Sequence, residues 1–228
     1  VVGRPEARLL PDGKRLHLHH GPIDLVISAS GAAEEIAAAY AQAQVRFQDV
    51  LAVLVDELAL LKTPVRAPRW LPKGPVARRM MDAVWPYRGV FITPMAAVAG
   101  AVADEMLEAM VRGRTLKTVS VNNSGDIAFA FAPGEKMRLG VVTDLRNPSI
   151  DALALLTSEM RTRGCATSGW DGRSFSLGIA DAVTILARNA AEADAAATVV
   201  ANAVNVDHPA IERRPAREIK DDSDLGDL

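Results

Sequence analysis

The stretch NAAEADAAATVVANAVN, residues 189–205, leaves little choice of structure. Alanine is the strongest helix former because it has no side-chain freedom to lose. Asn189, with Glu192 three residues later, has the spacing of a capping box. A helix with so little polar outer face must pack closely on its neighbours through small side chains. Its carboxylates, Glu192 and Asp194, both lie near its start, and Thr198 follows Asp194 by one turn. That spacing puts Asp194 and Thr198 on one helix face. Two readings fit. Asp194 is a first-turn acid favoured by the helix dipole, with Thr198 bonding back to the carbonyl four residues earlier. Or the two oxygens ligate a hard cation such as Mg²⁺, which takes one or two protein carboxylates and completes its shell with phosphate and water. Spacing alone favours the first.

The rest of the chain bounds the class. It has 228 residues, 49% of them hydrophobic, and a net charge of −2. It can bury a sizeable core, and no long basic block suits a nucleic-acid binder. No apolar run reaches the roughly 20 residues that span a bilayer, so no membrane partner is expected. A lone cysteine, Cys165, cannot form an internal disulfide, and VVGRPEARLL has no signal-peptide pattern. Both suit a cytoplasmic protein. Residues 1–220 read as one domain, and 221–228 as an acidic, disordered tail.

Along the chain, residues 14–29 read as a hairpin, and Ser30 can cap a long helix that ends before Pro64. A proline-rich crossing segment, a short helix VARRMMDAVWPY and a small-residue helix MAAVAGAVADEMLEAMV follow. LKTVSVNN, IAFAFA, MRLGVVT and ADAVTILA read as strands, whereas 148–163 fits helix or strand. Each half has strands leading into an alanine-rich helix. This predicts an α+β fold, a mixed sheet packed by helices, with a pseudo-symmetric two-lobe arrangement.

Three further places can carry chemistry. In VNNSGDIAF, Gly125 allows close backbone approach and Asp126 accepts a hydrogen bond, although a hairpin turn explains the same residues. In GCATSGWDG, Thr167, Ser168 and Gly169 read as a loop whose backbone N–H groups can hold an anion, or as a plain turn. His17 and His19, two apart on one strand face, have a spacing that binds metal, but an exposed strand accounts for them better.

The order of these motifs says more than each alone. VNNSGDI, ATSG and AVTILA followed by AEADAAAT resemble the ApbE-type superfamily, the FAD:protein FMN transferases. The chain looks closest to an ApbE-like branch that lacks the full transferase motifs. The resemblance implies a flavin nucleotide site between two lobes, with FAD and Mg²⁺ as cofactors. It places Asp194 and Thr198 at the metal. Gly125, Asp126, Thr167, Ser168 and Gly169 fall at the nucleotide. Departures accompany it. Ala99 stands where the transferases carry Lys, Ala101 where they carry an aromatic residue, and RSFSLGIAD replaces a His-containing segment. Asp181, in GIADAV, is a spare carboxylate for a catalytic role. The expectations are therefore a transferase-like enzyme acting on a nucleotide-like small molecule, or a non-catalytic nucleotide-binding or structural protein. The alanine-rich surface suits a homodimer.

Overall fold

A computed structural model describes residues 3–142, 149–170 and 176–219. The RSFSL segment lies partly, and the acidic tail wholly, outside the described residues. Three strands open the chain: β1 (Glu6–Leu9), β2 (Leu16–His20) and β3 (Ile23–Gly31). Helices follow: α1 (Ala33–Phe47), α2 (Val50–Asp56), α3 (Leu58–Leu61), α4 (Pro75–Val84) and α5 (Val98–Val111). Then come β4 (Leu116–Asn123), β5 (Asp126–Phe131), β6 (Lys136–Val141), β7 (Ala152–Thr157), β8 (Gly164–Ser168) and β9 (Val183–Ala187). Helices α6 (Ala190–Ala203) and α7 (Ala216–Ile219) complete it.

Seven strands form one sheet in the order β1-β2-β3-β4-β5-β8-β9, and β6 and β7 form a separate ribbon. The α+β class is as the sequence implies, but the sheet is antiparallel at every junction rather than mixed. The ribbon leaves after β5 and returns beside it as β8, which makes that junction hairpin-like.

Strand alternation sets the two faces. Leu16, Leu18, Leu25, Ile27, Val119, Val121, Ala128 and Ala166 are buried on the helix-covered face. On the other face Phe129 and Cys165 are buried beneath Leu139 and Leu156 of the ribbon. One apolar cluster runs from β2 and β3 through α1, α4 and α5 to α6, so the helices form a shared layer rather than two lobes.

The single long helix read from the sequence is three helices. Glu57 at the last break turns its carboxylate away to accept the N–H groups of Lys73 and Gly74 at 2.8 and 2.7 Å. Those bonds cap the start of α4. The ambiguous 148–163 segment contains strand β7. Thr167 and Ser168, read as loop, end strand β8.

Candidate functional site

Asp194 is not on an outer face. On a helix of about 3.6 residues per turn, it and Thr198 fall between two buried arcs. Ala193 and Ala197 pack with Ala166 on β8, while Ala191 and Ala195 join the main core. The carboxylate therefore points into the corner between α5 and the sheet. There its Oδ2 accepts the Gly100 N–H at 3.0 Å, and the Ala99 N–H also bonds to it. The first-turn reading of Asp194 is thus replaced: it caps a different helix.

Close approach makes this contact. A Cβ added at Gly100 would lie 2.3 Å from the Ala190 carbonyl oxygen, so α5 and α6 touch backbone to backbone. One turn further along α5, Asp104 accepts the N–H groups of Ala190 and Ala191 at 3.0 and 2.9 Å. Asn189 takes the Glu192 N–H at 2.7 Å, as its capping-box spacing implies. Each helix thus lends a carboxylate to the start of the other.

The sheet brings a second acid to the same corner. Ser124 and Gly125, both at positive φ, close a two-residue turn between β4 and β5, with Asn123 opposite Asp126. Both flanking side chains then face the helices. Asn123 Nδ2 donates to the Ala99 carbonyl at 3.1 Å. Asp126 accepts the Thr167 backbone N–H.

The electrostatics set the pair apart. Asp126 and Asp194 keep a little solvent contact, but their surroundings are dense enough to strip most water from both carboxyls. Burial pushes Asp126 from 3.8 up to about 7, against the Thr167 N–H, which lowers it. Asp194 is raised well above the ordinary range by burial first and by the Asp126 charge next; the Gly100 and Ala99 N–H groups oppose this. Burial and the same Asp126 charge push the Cys165 thiol to about 11, so it is a poor nucleophile. The Asp126 charge disfavours ionisation of Asp194, and a proton or a cation beside the pair would relieve this.

The other expected site residues divide. Thr198 lies one turn beyond Asp194 in the same corner. Thr167 contributes its backbone, while its hydroxyl pairs with that of Thr184 at 2.9 Å on the opposite sheet face. Ser168 lies on the helix-side face with Ala166. Gly169 packs against the Asp181 carbonyl, where a Cβ would come within 2.1 Å. Asp181 is exposed and its carboxylate accepts the Trp170 indole N–H at 2.8 Å, a contact that does not join it to the acid pair. On the open sheet face His17 is held by Asp24 at 3.0 Å and by Arg8, beside a stacked His19.

Among the described residues no group of three or more His, Cys, Asp or Glu is placed to hold a metal. A hard cation needs fewer, and two carboxylates with a threonine hydroxyl match the oxygen donors it prefers. Two cavities, of about 270 and 140 Å³, lie elsewhere, at Asn205–Asp207 with Arg213 and where α4 meets the start of α6. No helix among the described residues is long and apolar enough to cross a membrane. Sequence reasoning missed Asn123 and Asp104 as working residues. Asn123 reads as turn chemistry, and Asp104 gives no sign of which helix it meets.

A protein-family profile described as AbpE bacteria matches residues 7–228. A UPF0280 protein of Methanopyrus kandleri is 36% identical over 167 residues, covering 73% of this chain and 64% of that protein. Another, from Methanothrix thermoacetophila, is 38% identical over 138 residues, 58% of this chain and 54% of its own length. The chain thus spans less than two thirds of either relative. Among solved structures, the apo form of the Pseudomonas stutzeri flavinyl transferase ApbE aligns with a TM-score of 0.42 and 12% identity, over 87% of this chain and 84% of that one.

Proposed function

The chain belongs to the AbpE bacteria family, and on that premise we propose that it binds a flavin nucleotide, FAD, together with Mg²⁺ at the corner between α5, α6 and β5. One observation carries this reading: Asp126 and Asp194 converge with raised pKa values at the first turn of α5. Nothing cationic among their described contacts balances them, and a divalent cation would. Asp194 and Thr198 would hold the ion, with Asp126 facing it. When bound, Mg²⁺ supplies positive charge against a pyrophosphate.

The chain's own groups then do three things. Asn123 fixes the first turn of α5 through the Ala99 carbonyl. The Thr167 N–H orients Asp126. The two-residue turn at Ser124 and Gly125 leaves backbone within reach of a ligand, and Ser168 and Gly169 line the next strand end.

A second reading, nucleotide binding without transfer, has its own support. Ala99 stands where the ApbE resemblance puts a lysine. Its N–H goes to Asp194 and its carbonyl to Asn123. No cation is offered at that position to a transferring phosphoryl group.

A thermal-shift titration with FAD, FMN and ADP, with and without Mg²⁺, tests both. A Mg²⁺-dependent FAD shift that Asp194→Ala abolishes supports the site. A shift without FMN transferred to a Thr- or Ser-containing acceptor supports the second reading. No shift with any nucleotide refutes both.

A further inference from the structure

The net charge of −2 conceals a strong segregation. Residues 62–93 hold seven Lys or Arg and one acid, out of 26 and 28 in the chain, leaving 19 and 27 elsewhere. The fold gathers these cations. The loop after α3 runs antiparallel alongside α4. The Val65 N–H donates to the Ile92 carbonyl at 2.9 Å, Arg69 pairs with Asp82, and Arg78 Nε donates to the Pro72 carbonyl at 2.9 Å. Arg66, Arg69, Lys73, Arg78 and Arg88 therefore share one strip. Arg79 turns away, to Glu105 and Glu108.

The same loops expose large apolar side chains. Leu71 is 80% exposed, Val90 56% and Phe91 42%. Trp70, Trp85 and Tyr87 are half-buried behind them, packed against the core. Single exposed apolar residues are ordinary. The β6–β7 ribbon shows some, Leu153 and Leu155, but among charges of both signs: Lys136, Arg138, Glu135 and Glu159. Among the described residues, the 62–93 strip joins exposed apolar side chains, half-buried aromatics and a marked excess of cations.

We propose that this strip docks the protein on an anionic lipid surface. Clustered Lys and Arg are drawn to acidic headgroups. Leu71, Val90 and Phe91 would enter the headgroup boundary, with Trp and Tyr at its level. The acidic remainder of the chain is repelled by the same surface, which orients the molecule. Single-stranded nucleic acid fits less well. It asks for open aromatic faces, whereas the Arg69 and Arg88 guanidinium groups lie 5.4 and 4.9 Å over the Trp85 ring.

The test is co-sedimentation of the full chain with vesicles of phosphatidylcholine, alone or with about one-third phosphatidylglycerol. Binding is expected to the anionic vesicles only, and to weaken with salt. The double variant Arg66→Glu, Arg88→Glu should lower it at least about tenfold. Leu71→Ser with Phe91→Ser should weaken it while leaving its salt dependence in place. Leu153→Glu, at an exposed position of the β6–β7 ribbon on the opposite sheet face, is the control with unchanged binding. No binding to anionic vesicles overturns the proposal, as does binding that survives the double charge reversal. Equal competition by heparin or RNA, with no effect of the two serine substitutions, also overturns it and makes the strip a general polyanion surface.

Discussion

Asp104 and Asp194 use one device in opposite senses. Each projects from one member of the α5–α6 pair and accepts N–H groups at the start of the other. Asp104 spends both oxygens on two backbone donors at the start of α6, where the dipole favours it. Burial raises both acids, but Asp194, which also meets two donors, is raised further by the charge of Asp126 across the corner. The first is a satisfied buried acid and explains itself by structure. The second has a like charge beside it that the backbone donors do not offset, and the proposed cation would relieve it.

Substitutions can break the comparison, and Gly100→Ala should do so most. A methyl 2.3 Å from the Ala190 carbonyl forces the helices apart, at a cost of about 3 kcal/mol or more. Chemical denaturation would show it as a fall in midpoint, and both carboxylate contacts should loosen together. Asp104→Ala leaves two buried N–H groups without an acceptor and should cost about 2–4 kcal/mol. Asp194→Ala, by contrast, removes a repelled charge and should cost less than Asp104→Ala at pH 8. Equal losses would erase the distinction.

The acid pair also predicts a pH profile. Asp126 has its folded pKa raised from 3.8 to about 7. Between those values the folded chain keeps a proton that the unfolded chain has released, so stability falls as pH rises through that window. The fall is at most about 4 kcal/mol from this group, and Asp194 adds to it with the same sign. Melting the wild type and Asp126→Asn from pH 4 to pH 8 checks this, since the variant should be flatter. The smallest effect belongs to Thr198→Val. Its stability should change by less than about 1 kcal/mol, while Mg²⁺ affinity drops about tenfold. Unchanged affinity in a Mg²⁺ titration would remove Thr198 from the ion.

How much of this was legible depended on range. Asp194 and Thr198 stand out in an alanine helix, and Ser124-Gly125 between two strands reads directly as a tight turn. What Asp194 touches was not readable, because Gly100 lies 94 positions away. Period-two burial gave the strands but not their directions, so an antiparallel sheet was read as mixed. The second break in the long helix was hidden because the group that Glu57 serves, the start of α4, lies 16 and 17 residues further on. Thr167 reads as loop in the sequence, yet it ends strand β8, where strand parity turns its hydroxyl to the far face and leaves its N–H to Asp126.

The pairing of β3 with β4 sits at the middle of the sheet and joins Gly31 to Leu116 and Leu25 to Asn123, separations of 85 and 98 residues. Closing so long a loop costs entropy before any contact rewards it. The hairpins on either side, β2–β3 and β4–β5, are local and form early, while the seam between them waits for the helices it encloses to collapse. Asn123 lies in that seam, and its bond to Ala99 ties the end of β4 to α5 behind the sheet. The acid corner, made by α5, β4, β5, β8 and α6, lies wholly on the later side of that seam, so its contacts can form without the first three strands.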